Sequence, residues 1–354
     1  MPNEHPPPSR VEQRTVSPLS RSRLVHVFSD APSGAVARIV EGLMNNRLLA
    51  RFDQYPQVTS DPADWRSATA TADVAVIHLS MGWRYLPALL KLRWTRPRLR
   101  IVLVEHTYCA GYESHKVRHR VRFRSMLRLA YAMAHQVVTV SRAQRAWMLD
   151  ARLVSPSKLV LIPPYLEHPV LRRLPPPGVV SPLRLGALGH LGKRNGFDQL
   201  LQAVRLLPHE HLEVVIGGDG PDAESLRQQA SDLPRVHFTG PVADASAFLS
   251  AVDVLVVPSR YDAFGAVVAA ARAAGRPVLV ANADGLPEQV SPDTGWVLED
   301  DSVGALTAAL RRLPRSAAIG RMGAAARRSA EKGFRESTQR WSALLWSLAP
   351  PAGR

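Results

Sequence analysis

The sequence predicts an α/β protein made of two doubly wound domains that face a central cleft. Short runs rich in Val, Ile and Leu alternate with helical stretches along the whole chain. These runs are almost continuously apolar, which is typical of parallel strands covered on both faces. A Pro-rich connection near the middle divides them into two series, and 354 residues that are 46% hydrophobic can form two cores.

The first series of elements is expected between residues 22 and 170. The strand candidates are RLVHVFS, ADVAVIHLS, RIVLVEH, HQVVTVS and KLVLIPP. Helices are predicted over Ala35–Ala50, Tyr85–Trp94 and Val117–Ala134, and Ser141 is a suitable N-cap for the next one. Residues 1–21 are rich in Pro, Ser and Arg without an apolar run, which predicts a disordered leader and no signal peptide.

The second series is expected between residues 183 and 332, after a linker at 171–182. The linker prolines in VLRRLPPPGVVSP can continue neither a helix nor a central strand. The strand candidates are LRLGALG, LEVVIGG, RVHFTG, DVLVVPS, RPVLVAN and TGWVLE. Because open α/β sheets bind ligands at the carboxyl ends of their strands, we expect the binding site in the cleft between the domains.

The charge of the chain favours anionic partners. The net charge is +15, and twelve Lys and Arg residues lie between Arg84 and Arg128 against only Glu105 and Glu113. Such a cluster suits nucleic acid, an anionic membrane or phosphorylated substrates. No helix-turn-helix, RRM or zinc signature is present, so no specific nucleic-acid partner is expected.

The single cysteine and the absence of long apolar runs bear on location. Cys109 has no partner for an internal disulfide, which favours a reducing compartment. No apolar run approaches the roughly 18 residues of a membrane-spanning helix. We therefore expect a cytoplasmic protein that is either soluble or peripheral on a membrane.

Two turns of the second domain have features that suit a phosphate group. In LGHLGKRNGF, Gly189 and Gly192 flank His190, and Lys193 and Arg194 precede a helix that begins near Phe197. Two cations beside a helix N-terminus would neutralise a diphosphate, although the same residues could simply form a solvated turn. The turn IGGDGP, which contains Gly218, is equally consistent with a phosphate loop and with a turn that binds no ligand.

A third turn, in PSRYDAFGAVVAAARAAGRPV, combines an acid with a helix start. Gly265 would let a ligand approach the main chain, and the first N–H groups of the following helix are free to bind it. Asp262 would repel phosphate but can accept hydrogen bonds from sugar hydroxyls. The turns together indicate a ligand with anionic and hydroxylated parts, such as a nucleotide sugar.

The order of these motifs resembles that of the family 4 retaining glycosyltransferases. The resemblance covers most of Leu183–Leu313 through GHLGKRNGFDQLLQA, IGGDGP, DAFGAVVAAARAAGRPV, DGLPEQV and TGWVLE. It is looser in the first domain, through SGAVARIVEGL, VEHTYCAG, VVTVSRAQ and KLVLIPP. It implies the GT-B fold, with two Rossmann-like domains and a C-terminal helix, here at 333–354, that crosses back onto the first domain.

The resemblance also implies roles for individual residues. His190 stands in the usual arginine position, while Lys193 and Arg194 would stabilise the leaving diphosphate. Asp262 replaces the first glutamate of the family's Glu-x7-Glu signature and would contact donor hydroxyls, whereas Ala270 replaces the second, which commonly holds the ribose. The remaining assignments are backbone groups of Phe264, Gly265 and Ala266 for sugar and phosphate, Gly34 and Gly218 for the donor, and His106 near the reacting carbon and the acceptor.

These roles predict a retaining, metal-independent hexosyltransferase that uses a nucleoside diphosphate sugar and needs no cofactor. No cluster of His, Cys and carboxylate at metal-ligand spacing is present in the sequence. The expected acceptor is a lipid-linked oligosaccharide of surface or exopolysaccharide synthesis. The alternative is a catalytically impaired pseudo-glycosyltransferase that acts as a binding or scaffold protein, which Ala270 and His190 favour.

The basic segment HKVRHRVRFRSMLRLAYAMA is a candidate for docking on an anionic membrane. Its apolar residues recur at helical spacing, and its arginines would face lipid headgroups. The alternative is that the apolar residues pack on the sheet while the arginines are solvated, and both hold together if the apolar stripe faces inward and the arginines face lipid headgroups. The apolar residues concerned are Phe123, Met126, Leu127, Ala130 and Tyr131.

Overall fold

The structure, a computed structural model, describes residues 22–29, 35–178, 182–207, 212–314 and 317–349. Within these residues the chain forms two six-stranded sheets in which all neighbouring strands are parallel. The doubly wound α/β fold predicted from the sequence is therefore confirmed. The predicted leader at 1–21 lies outside the described residues.

The first sheet has the strand order β2-β1-β3-β4-β5-β6. Its topological switch point lies between β1 and β3, where open sheets of this kind bind their ligands. The strands are β1 (Arg23–Phe28), β2 (Asp53–Val58), β3 (Val74–Ile77), β4 (Arg100–Glu105), β5 (Gln136–Thr139) and β6 (Leu159–Leu161).

The second sheet has the order β12-β11-β10-β7-β8-β9, with its switch point between β7 and β10. All six strand candidates of this half are present in the structure. The strands are β7 (Leu183–Leu188), β8 (Leu212–Gly217), β9 (Val236–Gly240), β10 (Val254–Val257), β11 (Val278–Val280) and β12 (Gly295–Val297).

Helices cover both sheets, and several have a clear reason to begin where they do. Ser141 caps its helix as predicted, since its Oγ accepts a hydrogen bond from Gln144 N at 3.1 Å. In the first domain the helices are α1 (Ala35–Met44), α2 (Trp65–Ala68), α3 (Leu86–Thr95), α4 (Ala110–Lys116), α5 (Arg120–Met133) and α6 (Arg142–Asp150). In the second they are α7 (Phe197–Arg205), α8 (Ala223–Gln229), α9 (Ala245–Ser250), α10 (Ala266–Ala273) and α11 (Val303–Arg312), followed by α12 (Ala318–Leu348).

The edge strand β2 is absent from the sequence prediction. Its sequence, DQYPQV, contains Pro56 and has only exposed and half-buried positions, so it lacks the continuous apolar run of the central strands. Proline is tolerated there because an edge strand leaves one row of backbone groups unpaired. By contrast, the four residues of β3 are all buried.

The apolar face of α5 packs inward. Met126, Leu127, Ala130 and Tyr131 are buried in the core of the first domain, and Phe123 packs against that core. The second of the two sequence interpretations of this segment is therefore confirmed for the apolar residues. Among the helices of the described residues, none is long and apolar enough to cross a bilayer.

The 31-residue helix α12 joins the two domains. Its first half packs on α10 of the second domain. Its last turns reach the first domain, where Trp341, Leu344 and Leu345 pack in one core with strand residues such as Leu24 and Val74. This return of the C-terminal helix confirms the predicted architecture. The domain limit expected between 332 and 333 falls inside α12, and the predicted linker contains a short 3-10 turn at Leu171–Arg173.

Candidate active site

The turns that follow β7 and β10 lie side by side, because these strands are neighbours at the switch point of the second sheet. Arg260 connects them: its backbone N–H donates to the Arg194 carbonyl at 2.8 Å. The Arg260 guanidinium also forms a bidentate ion pair with Asp198 of α7, with N–O distances of 2.9 and 2.7 Å. Such a planar, two-bond contact fixes orientation, so the turn that carries Lys193 and Arg194 has a defined position.

The structure brings two of the predicted charged residues into direct contact. Arg194 Nη2 donates to Asp262 Oδ2 at 2.8 Å, while Asp262 Oδ1 accepts from Phe264 N at 3.2 Å and Gly265 N at 2.8 Å. Asp262 thus stabilises its own turn and binds Arg194 at the same time. The neighbouring Lys193 is exposed, and its ammonium has no ion-pair partner among the described residues.

Gly265 is required by the backbone at the start of α10. Its φ is 80°, in the left-handed region, and a Cβ there would lie 2.4 Å from Leu286 Cδ2. The Phe264 side chain is buried and meets the Tyr165 ring edge-on, with the ring centroids 5.2 Å apart. The Phe264 and Gly265 amides already donate to Asp262. The next backbone N–H along the chain that could bind a ligand is that of Ala266, which is exposed at the first helical position.

Gly218 lies where the turn after β8 packs against the turn after β7. Its φ is 133°, and a Cβ at this position would lie only 1.8 Å from the Gly189 carbonyl oxygen. Its own N–H donates to the Gly240 carbonyl at 2.8 Å. The glycine therefore lets the turn after β7 lie directly on the turn after β8, and its contact with a donor stays a prediction.

The other predicted donor residues have the following positions. His190 is exposed on the turn after β7, and its carbonyl accepts from Asn195 Nδ2 at 2.7 Å. Gly34 lies outside the described residues. Ala270 is half-buried on α10, and the nearby Arg272 does not replace the missing glutamate, because its guanidinium is bound by Tyr165 Oη at 3.0 Å and Ser329 Oγ at 2.6 Å.

His106 follows β4 in a turn that is held by a buried acid. Glu105 Oε1 accepts from Thr107 N at 2.8 Å and Tyr108 N at 2.9 Å, and its Oε2 accepts from Tyr131 Oη at 3.1 Å. Burial raises the pKa of Glu105 to about 7. In the sequence Glu105 is only one of two acids within the basic cluster, whereas in the structure it organises the His106 turn.

The two domains meet through acids that follow β11. Asp284 Oδ1 accepts from Gly111 N at 3.0 Å, and Cys109 Sγ donates to its Oδ2 at 3.1 Å. Glu288 accepts from the first-turn amides of Arg142 and Ala143 in α6, at 2.9 and 2.6 Å. Gly285 N also donates to the Asp262 carbonyl at 3.0 Å, so these contacts connect the Asp262 turn to the first domain.

Sequence reasoning missed two further histidines of the first domain, both buried. His78 follows β3 directly, as His106 follows β4, and His26 is a polar residue inside the apolar run of β1. The signal was present, since neighbouring parallel strands that both end in histidine place those histidines at one edge of the sheet. In the described part of the chain, no group of three or more His, Cys, Asp or Glu side chains is arranged to hold a metal ion.

Two doubly wound domains with facing strand ends, tied by a C-terminal helix that returns to the first domain, define the class of GT-B glycosyltransferases. Two family models match the sequence: "Glycosyltransferase Family 4" over residues 23–167 and "Glycosyl transferases group 1" over residues 182–316. The chain belongs to the family 4 glycosyltransferases of the GT-B fold.

Curated relatives match part of the chain. The lipopolysaccharide core biosynthesis glycosyltransferase LpsD of Rhizobium meliloti is 37% identical over 131 residues, which are 36% of this chain and 37% of that protein. The GDP-mannose-dependent alpha-(1-6)-phosphatidylinositol monomannoside mannosyltransferase of Mycobacterium tuberculosis is 33% identical over 177 residues, 46% of this chain and 45% of that protein. The matched segments span less than half the length of these relatives.

Solved structures resemble the fold over almost the whole chain. Sucrose-phosphate synthase from Thermosynechococcus elongatus has a TM-score of 0.75 at 18% identity, covering 93% of this chain and 99% of that one. Anabaena Alr3699/HepE, solved in complex with UDP and glucose, has a TM-score of 0.72 at 17% identity, covering 92% and 99%. At such low identity the likeness establishes the fold alone.

Proposed function

We propose that this protein transfers a hexose from a nucleoside diphosphate sugar to an acceptor hydroxyl, with retention at the anomeric carbon. The observation that carries the proposal is the arrangement at the second switch point: exposed Lys193 and the Arg194–Asp262 pair lie beside the start of α10. Cations and a helix N-terminus suit a diphosphate, and a carboxylate suits sugar hydroxyls. The complex of HepE with UDP and glucose supports a donor of this class.

The Arg194–Asp262 ion pair would exchange its partners when the donor binds. A diphosphate that enters the cleft competes with Asp262 Oδ2 for the Arg194 guanidinium. Once Arg194 turns to phosphate, Oδ2 becomes available to accept a hydrogen bond from a sugar hydroxyl, while Oδ1 keeps its two backbone partners. Diphosphate and sugar would thus be recognised together.

Leaving-group stabilisation supplies the chemistry in this proposal. Charge develops on the departing diphosphate in the transition state, and Lys193 and Arg194 would stabilise it from a turn whose position is set by Arg260. The departing phosphate oxygen takes the proton of the acceptor hydroxyl on the same face of the sugar, so the reaction needs no side-chain nucleophile. We propose that the two cations make a metal ion unnecessary for this role.

The experiment for the donor is a panel of nucleoside diphosphate sugars, with donor hydrolysis, transfer and thermal shift as readouts. Arg194→Gln should weaken the nucleoside diphosphate affinity about tenfold, the effect of one charge-assisted contact. Arg227→Gln is the matched control, since Arg227 is an exposed arginine of α8 that pairs with Glu224. The absence of both turnover and thermal shift across the panel would refute the proposal and favour a pseudo-enzyme.

We further propose a lipid-linked saccharide acceptor, reached by docking on an anionic membrane surface. The first domain exposes large apolar side chains: Leu90 and Trp94, 62% and 85% exposed, lie one turn apart on α3, and Val121 of α5 is 79% exposed. Trp83 is also exposed and stacks beneath the Arg122 guanidinium at 5.7 Å. The exposed cations of the same stretch of chain include Arg84, Lys91, Arg93, Arg98, Lys116, Arg118, Arg120 and Arg122.

This composition fits lipid better than a soluble partner. Aromatic and aliphatic side chains within a basic patch insert among headgroups while the cations bind anionic lipids. In vesicle co-sedimentation, binding should require anionic lipid and weaken with salt. The double variant Leu90→Ser, Trp94→Ser should bind about tenfold more weakly, because it removes the two most exposed apolar groups of α3. The matched control Leu206→Ser removes an exposed leucine of the second domain, and equal loss in both would refute the assignment of this surface.

A further inference from the structure

A chain of hydrogen-bonded side chains crosses the first sheet from its edge to the cleft. His26 Nδ1 lies 3.1 Å from His78 Nε2, and His78 Nδ1 lies 3.1 Å from His106 Nε2. At the other end, His26 Nε2 lies 3.2 Å from Gln54 Oε1 on the edge strand β2. The members therefore come from β2, β1 and the ends of β3 and β4, in the order in which these strands lie in the sheet.

The direction of the chain is set by Gln54. Its Nε2 donates to the Leu49 carbonyl at 3.2 Å, so its Oε1 is the atom that faces His26. A carbonyl oxygen only accepts, and the hydrogen between them must therefore be on His26 Nε2.

Because the three histidines are neutral, the direction of the His26–Gln54 hydrogen bond determines the direction of the next two bonds, as far as the cleft. Burial lowers the pKa of His26 and of His106 to about 4 and that of His78 well below its usual range. A neutral imidazole has one N–H and one bare nitrogen. His26 Nδ1 consequently accepts from His78 Nε2–H, and His78 Nδ1 accepts from His106 Nε2–H.

The result is a fixed tautomer at His106, with a bare Nδ1. His26 and His78 are buried, and the half-buried His106 is the end of the chain. Its Nδ1 has no partner among the described residues, so it offers a hydrogen-bond acceptor on the first-domain side of the cleft.

We propose that Gln54, His26 and His78 are positioning residues that hold His106 in the Nε2–H tautomer, so that its Nδ1 accepts a hydrogen bond from a substrate hydroxyl. This inference rests on the proposed transferase function for its substrate. The hydroxyl belongs to the transferred sugar or to the acceptor. Without the chain, His106 would sample both tautomers, and in one of them its Nδ1 would donate and would no longer accept a hydroxyl proton.

The direct test is the tautomer itself, measured by nitrogen NMR on histidine-labelled protein. His106 should carry its hydrogen on Nε2 in the native protein. Gln54→Met removes the terminal acceptor and should give mixed tautomers, whereas Gln54→Glu keeps an acceptor and should preserve the native pattern. Gln54 is half-buried on an edge strand, so these variants should fold.

Kinetics provide the second readout. Gln54→Met and His78→Phe should lower kcat/KM about five- to tenfold, the effect of one lost neutral hydrogen bond, and Gln54→Glu should retain most activity. A higher KM for the donor would assign the hydroxyl to the transferred sugar, and a higher KM for the acceptor would assign it to the acceptor. Ser80→Ala is the matched control, since it breaks the 2.7 Å Ser80–Thr107 bond between the same two turns without touching an imidazole.

A native His106 protonated at Nδ1 would overturn the inference, and so would a Gln54→Met variant with native tautomers and native kcat/KM. A loss of activity in Ser80→Ala equal to that in Gln54→Met would also overturn it, because the effect would then be structural. A protein that is inactive with every donor, yet shows the Nε2–H tautomer and loses it in Gln54→Met, would refute the transferase function while supporting the tautomer assignment.

Discussion

Glu105 should make the stability of this protein fall as the pH rises from about 4.5 to about 7. The residue is 2% exposed, and burial raises the pKa of its carboxyl from 4.5 to about 7. The folded state therefore holds this proton more tightly than the unfolded state. Below pH 4.5 the group is protonated in both states and costs nothing, whereas above pH 7 the full difference, about 3 kcal/mol, is lost from the free energy of unfolding.

Glu105→Gln isolates this effect. The amide oxygen can still accept from Thr107 N and Tyr108 N, and the amide NH2 can donate to Tyr131 Oη, so the turn keeps its bonds. In urea unfolding, the free energy of unfolding of the variant relative to that of the native protein should increase by about 3 kcal/mol between pH 5 and pH 8. Parallel pH dependences of the two proteins would refute the reasoning, because they would mean that the carboxyl ionises normally in the fold.

Glu113→Gln is the matched control, with the opposite sign. Arg124 binds both oxygens of Glu113, at 2.6 and 2.8 Å, and lowers the pKa of that carboxyl. A carboxyl whose pKa is lower in the folded state than in the unfolded state stabilises the protein at pH values above its unfolded pKa. This stabilisation is lost as the pH falls through the folded-state pKa. The variant should therefore be less stable than the native protein at pH 7, and the difference should shrink in acid.

Three further predictions concern the second domain. Gly218→Ala should cost about 2–4 kcal/mol in urea unfolding, because its Cβ would overlap the Gly189 carbonyl, while the matched Gly178→Ala, with no atom within 4 Å of the new Cβ, should be nearly neutral. Asp262→Asn should raise the KM for the sugar donor more than the inhibition constant of the free nucleoside diphosphate, and an equal change in both would contradict a sugar contact. Asp284→Ala removes the acceptor of Gly111 N and Cys109 Sγ, so limited proteolysis should show faster cleavage between the domains, and an unchanged rate would contradict that role.

Much of the fold could be predicted because its signal is local. Each central strand is a short apolar run, and the runs of β3 and β10 are buried at every position in the structure. The exception, β2, is stabilised by its pairing with β1 and has no such run of its own. The direction of the apolar face of α5 could not be settled from its spacing, since an amphipathic helix has the same pattern whether its apolar face meets a sheet or a membrane.

The contacts of the candidate site could be predicted less well than the fold, because they join residues that are distant in sequence. The spacing of Asp262, Gly265 and Ala266 correctly predicted a turn that opens a helix, but the partner of Asp262 is Arg194, 68 residues away. The histidine chain likewise joins positions 26, 54, 78 and 106, and only the strand order places them in a row. Doubly wound topology brings both sets to switch points, β7 beside β10 and β1 beside β3.

The residues at the two switch points suggest different binding roles for the two walls of the cleft. The second-domain wall offers two exposed cations and one exchangeable carboxylate, which suits the charged part of a donor. The first-domain wall offers a neutral acceptor atom, because burial keeps all three histidines uncharged. A charged histidine there would attract the diphosphate to the wrong wall, whereas a neutral one can bind a hydroxyl without competing for phosphate. The low pKa of His106 and the cations at 193 and 194 are therefore complementary requirements of one proposed reaction.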